Sequence, residues 1–246
     1  MSAVAPPPFL LGVLGGMGPL ATLDFLKKLI EATPADGDAD HVPVVVASIP
    51  QIPPRVAAIV ADGDSPFPAL VDARDRLIAA GATTLVMPCN TAHHWHAALA
   101  AGLDVPFLHL GEAAIAEVGD CLAPPARIGV IATEATRAIR LYSTPLGRAG
   151  YAVVEPDAAA AREVARGIAE VKRGAVAAGG ARFSEAVRSL AAAGAQAVVL
   201  GCTEVPPGLA AQSTPPAVPV IDPTAALARR CAGLWARARP AGPSDR

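Results

Sequence analysis

Two cysteines stand in similar surroundings in the sequence, each directly behind a short apolar run. Cys89 lies in Met87-Pro88-Cys89-Asn90-Thr91, and Cys202 lies in Leu200-Gly201-Cys202-Thr203-Glu204. At the end of a buried strand, unpaired backbone N–H groups and the positive end of a helix dipole lower the pKa of a thiol. An ordinary cysteine has a pKa of about 8.5, so a modest reduction makes thiolate available at neutral pH. Both positions are therefore candidates for a reactive thiolate, whereas a lone cysteine is more often a small buried apolar residue.

Two thiols that face one carbon atom predict a specific reaction. One thiolate removes a proton from one face of the carbon, and the other thiol delivers a proton to the opposite face, which inverts the stereocentre. General acid–base catalysis of this kind requires both groups within hydrogen-bond reach of the reacting proton positions. The pattern therefore predicts that Cys89 and Cys202 are a catalytic acid–base pair on opposite faces of one small substrate.

The two cysteines belong to an internal repeat. At the offset that separates Cys89 from Cys202, an alanine–glycine run precedes each cysteine and a Val-Pro strand follows it. These runs occupy 79–82 and 105–108 in the first copy, and 192–195 and 218–221 in the second. The sequence Gly-Val-Leu-Gly at 12–15 is similar to Gly-Val-Ile-Ala at 129–132, near the start of each copy. The cysteines and the two flanking runs match at one offset, and this common spacing predicts two similar halves, the second beginning near Arg127.

Strand and helix signals alternate along the chain. Apolar runs at 11–14, 44–48, 84–87 and 106–108 are typical of buried strands, and amphipathic helices lie between them. The first of these helices is predicted to have one apolar face, formed by Leu23, Leu26 and Ile30, and a polar face, formed by Asp24, Lys27 and Lys28. Alternation of this kind is typical of βαβ units and a parallel sheet.

We therefore predict an α/β protein with two pseudo-symmetric, Rossmann-like α/β/α halves and parallel sheets. The predicted first half comprises residues 1–120 together with 210–246, which add a C-terminal helix, and the second comprises residues 121–209. Ligands of open α/β sheets bind beyond the carboxyl ends of the strands, where both cysteines lie. The predicted active site is therefore the cleft between the two halves.

Composition excludes several classes of function. Of the 246 residues, 52% are hydrophobic and 17% charged, which is typical of a globular protein. The net charge is −2 and the basic residues are scattered, so no basic stripe indicates a nucleic-acid partner. No apolar run is long enough for a membrane span, and residues 1–8 do not resemble a secretory signal, so we expect a cytoplasmic protein. Two further cysteines, Cys121 and Cys231, lack the strand-end setting and are interpreted as structural.

Two other motifs are candidate ligand sites. The turn Gly15–Gly18 lacks the Lys-Ser/Thr of a phosphate-binding P-loop and the full dinucleotide spacing, so no nucleotide is expected. His93, His94 and His96 have no carboxylate at a ligand-like spacing, so no metal is expected. We expect His93 to support the Cys89 loop, and His94 and His96 to lie on a solvated face.

Four motifs, taken in order, resemble those of the aspartate/glutamate racemase family, and the match covers nearly the whole chain. They are Gly15-Gly16-Met17-Gly18-Pro19-Leu20-Ala21-Thr22, Pro53-Pro54-Arg55, Pro88-Cys89-Asn90-Thr91-Ala92-His93 and Gly201-Cys202-Thr203-Glu204. The resemblance implies an isomerase that racemises an amino acid with neither pyridoxal phosphate nor any other cofactor or metal. It also implies two pseudo-symmetric halves with the site between them, and a homodimer.

The resemblance also implies roles for substrate-binding residues. By position, Arg55 is similar to the residue that holds a substrate carboxylate, and Lys172 to the lysine that meets the other one. For Lys172 the alternative of an ordinary surface charge stays open, because exposed lysines are common. Glu204 is expected to orient either a cysteine or the substrate ammonium. The remaining residues expected to line the pocket are Met17, Asn90, Thr91, Thr133, Thr136 and Thr203.

Taken together, these features predict an amino-acid racemase with aspartate as the first candidate substrate and glutamate as the second, because two cations favour a dicarboxylic amino acid. Maleate isomerase and hydantoin racemase of the same superfamily, which also use paired cysteines, are the alternatives within this chemistry. A catalytically silent dicarboxylate-binding protein is the alternative outside it, although such a protein would have no need for two thiols.

Overall fold

Two parallel sheets organise the protein, which we describe from a computed structural model covering residues 9–239. The first sheet has the strand order β2-β1-β3, formed by β1 (Leu11–Gly15), β2 (Val44–Ser48) and β3 (Thr84–Val86). The second has the order β5-β4-β6-β7, formed by β4 (Arg127–Ala132), β5 (Ala152–Val154), β6 (Ala197–Gly201) and β7 (Val220–Ile221). All pairings are parallel, because helices connect successive strands. The predicted fold class, two α/β halves with parallel sheets, is confirmed.

Helices connect the strands and flank the sheets. In chain order within the described residues they are α1 (Pro19–Ala32), α2 (Arg55–Val60), α3 (Phe67–Ala79), α4 (His96–Ala100), α5 (Leu110–Cys121), α6 (Glu134–Ala138), α7 (Ser143–Arg148), α8 (Ala158–Lys172), α9 (Val176–Ala192), α10 (Val205–Ala210) and α11 (Pro223–Ala238). None of these helices is both long and apolar enough to cross a bilayer.

The sequence repeat is reproduced in the packing of the two sheets. Gly12 in β1 pairs with Leu85 in β3, and Gly129 in β4 pairs with Val198 in β6. A Cβ atom at Gly12 would lie 2.6 Å from Leu85 Cδ2, and one at Gly129 would lie 2.9 Å from Val198 Cγ2. The other close neighbours also correspond, with Leu77 and Ala82 at the first glycine and Leu190 and Ala195 at the second. Both glycines are therefore required by the same close approach of strand and helix.

The orientation of α1 differs from the prediction. Leu26 packs against the core, but Leu23 and Ile30 are 61% and 58% exposed, and the buried residues are instead Ala21, Thr22, Phe25 and Leu29. The side that packs inward carries Phe25 and Leu29, which are core residues. Lys28 lies on this side as well and pairs with Asp24 and with Asp222, whose carboxylate lies 2.6 Å from Lys28 Nζ. Since Asp222 caps α11, this ion cluster joins α1 to α11 and leaves part of the predicted apolar face outside.

The C-terminal segment contacts both halves. β7 pairs with β6 in the second sheet, whereas α11 packs against α1 and α5 of the first half. The division into residues 1–120 with 210–246 and residues 121–209 stays a prediction, and residues 1–8 and 240–246 lie outside the described part of the chain.

Candidate active site

The two cysteines follow equivalent strands and line the same cavity. Cys89 lies just beyond β3, and Cys202 lies directly after β6. Both are buried free thiols, and both line a cavity of about 410 Å³ between the halves. The strands of a parallel sheet end at one edge, so the repeat brings one thiol from each half to the cleft.

The remaining predicted site residues lie at this cavity with one exception. Thr136 is buried behind the wall; the others line the cavity, namely Met17, Arg55, Asn90, Thr91, Thr133, Lys172, Thr203 and Glu204. The sequence analysis gave a site role to Arg55 but to none of its neighbours that line the cavity, which are Pro50, Gln51, Ile52, Pro54 and Val56. The Pro-Pro-Arg motif at 53–55 was the available signal, because a motif that holds Arg55 at the cavity also brings its neighbours there.

A cluster of three threonine hydroxyls joins the halves beside Cys89. Thr91 Oγ1 lies 2.9 Å from Thr136 Oγ1 and 3.2 Å from Thr133 Oγ1. Thr133 also caps α6 by accepting a hydrogen bond from the backbone N–H of Thr136 at 3.1 Å. The cluster fixes the Cys89 loop against α6, and it makes this wall of the cavity polar but uncharged.

His93 supports the Cys89 loop from behind. Its Nδ1 lies 2.8 Å from the Cys89 carbonyl oxygen, and its Nε2 accepts a hydrogen bond from the Leu110 N–H at 3.0 Å. Because Nε2 accepts, the ring proton is on Nδ1, and the ring is neutral. Burial, followed by the nearby His109, holds the pKa of His93 well below its usual value. The ring therefore ties the Cys89 loop to the start of α5.

The predicted solvated position of His96 is wrong. Its ring stacks on His93 with centroids 5.3 Å apart, and its Nε2 lies 3.0 Å from the Phe107 carbonyl oxygen. Burial lowers its pKa, with the carbonyl contact opposing that shift. His94, in contrast, is exposed, as predicted.

Cys202 has a carboxylate beside it. Its Sγ lies 3.0 Å from Glu204 Oε2, which also accepts a hydrogen bond from Thr203 Oγ1 at 3.1 Å. The side chain of Glu204 is only 12% exposed, and Lys172 Nζ lies 3.9 Å from its other oxygen. Burial, and then the Glu204 charge, raise the pKa of the Cys202 thiol well above its usual value. Cys202 is therefore a protonated thiol that donates a hydrogen bond to Glu204. The lowered pKa expected for a thiol at a strand end is wrong for Cys202, because burial and the Glu204 carboxylate outweigh the strand-end setting.

Arg55 and Lys172 bring positive charge to the cavity in different ways. Arg55 begins α2, and its Nη1 donates to the carbonyl oxygens of Ile52 and Pro53, each at 3.1 Å. Its Nε is buried and has no hydrogen-bond partner among residues 9–239. Lys172 ends α8 with its side chain 54% exposed. The guanidinium is thus held by the backbone with donors remaining for a ligand, while the ammonium reaches the cavity from the rim.

A second cavity adjoins the first. It has a volume of about 680 Å³, and it shares Pro50, Arg55, Lys172, Thr203 and Glu204 with the cavity of the cysteines. Its further walls are largely apolar and come from the start of α1, the end of α8, and α9 and α10, including Leu20, Val171, Val176 and Pro207. The two cations therefore lie where the cavities meet.

The fold of two α/β halves with parallel sheets agrees with comparisons to known proteins. The family model for Asp/Glu/hydantoin racemases matches residues 14–231. The chain therefore belongs to the Asp/Glu/hydantoin racemase family, and it is an isomerase of the racemase type.

Individual relatives agree with this assignment. The broad specificity amino-acid racemase RacX of Bacillus subtilis (strain 168) is 31% identical over 152 residues, which cover 60% of this chain and 65% of that protein. The structure of Picrophilus torridus aspartate racemase has a TM-score of 0.79 at 28% identity and covers 92% of this chain and 94% of that one. Glutamate racemase from Francisella tularensis, at 18% identity and a TM-score of 0.66, covers 94% of this chain and 82% of its own, and it shares the fold.

Proposed function

We propose that this protein is an amino-acid racemase that needs no pyridoxal phosphate or other cofactor, with aspartate as the preferred substrate and glutamate as the second. One observation carries the proposal: two buried free cysteines, at equivalent strand ends of two related halves, line one cavity. Racemisation needs one base and one acid on opposite faces of a carbon, and the repeat supplies one thiol from each half.

The proposed reaction moves one proton at each sulfur. The Cys89 thiolate removes the α-proton, and the electron pair of the broken C–H bond passes to the α-carbon and its carboxylate. The Cys202 thiol then delivers its proton to the opposite face, which leaves Cys89 as a thiol and Cys202 as a thiolate. The opposite enantiomer reacts by the reverse sequence. Glu204 favours the form in which Cys202 carries the proton, because its carboxylate accepts a hydrogen bond from that thiol.

The charges around the cavity support a dicarboxylic substrate. Arg55 and Lys172 line it together, and two cations match two carboxylates. We propose that Glu204 orients Cys202 rather than the substrate ammonium, since its Oε2 already accepts hydrogen bonds from Cys202 and Thr203. The adjoining apolar cavity leaves room for side chains longer than that of aspartate, which supports a tolerance for further amino acids.

Deuterium exchange tests the proposed chemistry. Purified protein is incubated with L-aspartate in D2O without added cofactor, while α-deuterium uptake and optical rotation are followed together. We expect both signals from the native protein, and neither from Cys89→Ala or Cys202→Ala. Cys121→Ala is the matched control, because Cys121 is an exposed cysteine at the end of α5, and it should retain full activity.

The alternatives give different results with L-aspartate or with a substrate of their own. A silent binding protein would bind aspartate without exchange or loss of rotation. A maleate isomerase would convert maleate to fumarate, and a hydantoin racemase would exchange the ring proton of a 5-substituted hydantoin instead. Full activity in either cysteine variant would contradict the two-thiol mechanism.

We further propose that the enzyme is a cytoplasmic homodimer. Free thiols at all four cysteines are expected in a reducing compartment. The exposed Leu20, Leu23 and Ile30 of α1 lie on the first half, whose edge strand β2 exposes Val46, and apolar side chains of this size favour burial against a second copy. Light scattering tests this directly: the native protein should have twice the mass of one chain, and Leu23→Asp should shift it toward the monomer.

A further inference from the structure

Tyr142 lies beneath the cleft, between the two cysteine loops. It immediately precedes α7, and its side chain is fully buried. Its hydroxyl donates a hydrogen bond to Oδ1 of Asn90, the residue after Cys89. Its ring contacts Gly201, the residue before Cys202, where a Cβ atom would lie 2.9 Å from Tyr142 Cε2. One side chain of the second half therefore touches the neighbour of each catalytic cysteine.

The hydrogen bond from Tyr142 decides which end of the Asn90 amide is already paired within the protein. Burial holds the pKa of Tyr142 well above its usual value, and the nearby Asp222 and both cysteines add to the rise, so the phenol keeps its proton. This proton has no other acceptor among the described residues, so turning the amide would leave a buried hydroxyl proton unpaired. The amide oxygen therefore stays hydrogen-bonded to Tyr142, and Nδ2 is the end of the amide that is left to bind a ligand.

Nδ2 of Asn90 is a hydrogen-bond donor for which the described part of the chain supplies no acceptor. Asn90 is buried and lines the catalytic cavity, yet its Nδ2 has no hydrogen-bond partner among residues 9–239. A buried amide donor without a partner is unfavourable, so an oxygen atom of a ligand in the cavity would satisfy it. The next residue, Thr91, belongs to the threonine cluster, which makes this part of the wall polar but uncharged, and neutral donors can bind a carboxylate oxygen.

We propose that Tyr142 is a positioning residue, which fixes the Asn90 amide so that its Nδ2–H group donates to a substrate carboxylate beside Cys89. The proposal rests on the racemase function proposed above. Tyr142 does not touch the substrate. It acts through Asn90. Its ring packs on Gly201, which fixes the position of the Asn90 amide relative to the Cys202 loop.

The conservative variant Tyr142→Phe tests the proposal, because it keeps the ring against Gly201 and removes only the hydroxyl. The Asn90 amide then loses its fixed orientation, and we expect KM for L-aspartate to rise about tenfold while kcat changes less than about threefold. The matched control is Tyr151→Phe. Tyr151 is the other tyrosine of the chain, and its hydroxyl donates to the Leu122 carbonyl oxygen at 2.7 Å, outside the residues that line the cavity. This control should lose comparable thermal stability with no change in KM.

A double-variant comparison separates positioning from general support. In the Asn90→Ala background, Tyr142→Phe should raise KM less than about twofold, since the amide that it orients is gone. An unchanged KM in Tyr142→Phe, or an equal rise in both backgrounds, would overturn the proposal. Asn90→Asp gives independent evidence if Tyr142→Phe does not fold, because it keeps the acceptor for Tyr142 and removes the donor to the cavity. We expect that variant to fold and its KM for L-aspartate to rise at least about tenfold, and a native KM would overturn the proposal.

Calorimetry with succinate, a dicarboxylate that cannot racemise, keeps this proposal distinct from the proposed function. Weaker succinate binding by Tyr142→Phe in a protein that does not racemise aspartate would support the role of Tyr142 and refute the racemase assignment. If the variant racemises aspartate with an unchanged KM and an unchanged affinity for succinate, the racemase function is supported and the role of Tyr142 is refuted. Failure of the native protein to bind either dicarboxylate would overturn the proposal as well.

Discussion

The contact between Cys202 and Glu204 predicts how the reactivity of this thiol responds to one uncharged substitution. Glu204→Gln keeps an oxygen that can accept from the thiol, but it removes the negative charge 3.0 Å from Sγ. Two unit charges 4 Å apart interact by about 4 kcal/mol at an effective dielectric constant of about 20. Since Glu204 and Cys202 are both largely buried, solvent screens this repulsion little. Removing the charge therefore makes the Cys202 thiolate easier to form.

Lys172 reduces the size of this effect. Its ammonium lies 3.9 Å from Glu204 and opposes the rise in the pKa of the Cys202 thiol, so part of the carboxylate charge is already offset. If about 1.4 kcal/mol of the repulsion survives this offset, the thiolate population changes by about tenfold. We therefore expect Cys202 in Glu204→Gln to react with iodoacetamide about tenfold or more faster at neutral pH, because the thiolate is the reactive form.

The assay needs a background in which Cys202 is the reactive thiol. Cys89 and Cys121 are replaced by serine, and Cys231 is left in place because burial raises its pKa to about 12. Mass spectrometry then follows modification of Cys202 with time. Glu117→Gln is the control, since Glu117 pairs with Arg229 and contacts neither thiol. An alkylation rate in Glu204→Gln that equals or falls below that of the parent would refute the electrostatic coupling.

Three further predictions follow from packing and ionisation. Gly12→Ala and Gly129→Ala should each destabilise the fold by about 1–3 kcal/mol and lower Tm by about 2–4 °C per kcal/mol, as measured by calorimetry, and an effect in one half alone would contradict the equivalent packing. His109 has a folded-state pKa of about 4, lowered by burial and then by His96, against about 6.5 when unfolded. Its contribution to stability is therefore present above about pH 6.5 and lost as the pH falls toward 4, so Tm of His109→Gln should depend less on pH in this range. Thr136→Val should lower kcat/KM for L-aspartate several-fold, because Thr91 loses a hydrogen-bond partner at 2.9 Å, and native kinetics would show that this cluster does not hold the Cys89 loop.

Much of the architecture could be predicted because it depends on local pattern and on the repeat. The strand ends that carry Cys89 and Cys202 follow from short apolar runs in the sequence. The common spacing of the repeat is sufficient to predict that the two cysteines lie at equivalent ends of their sheets. The parallel pairing follows from helices between successive strands.

What could not be predicted depends on partners that are distant in the sequence. The inward side of α1 carries Lys28, which pairs with Asp222 far along the chain, and helical periodicity contains no information about that partner. Tyr142 lies far along the chain from Asn90, in a segment without a motif. The choice for Glu204 between a cysteine and a substrate ammonium required the geometry, because the sequence gives adjacency to Cys202 but not the direction of the carboxylate.

Among residues 9–239, a carboxylate is hydrogen-bonded to the sulfur of Cys202 and none to that of Cys89, which has a consequence for the kinetics of both enantiomers. D- and L-amino acids have equal free energies in water, so no arrangement of charges in the enzyme alters their final one-to-one mixture. A carboxylate at Cys202 alone can instead make one protonation state of the empty enzyme more abundant than its mirror counterpart. The enantiomer accepted by the abundant state then has the lower KM, and its kcat is lower in the same proportion. An enzyme built from two similar halves can therefore have different KM and kcat values for the two enantiomers, although kcat/KM is the same for both.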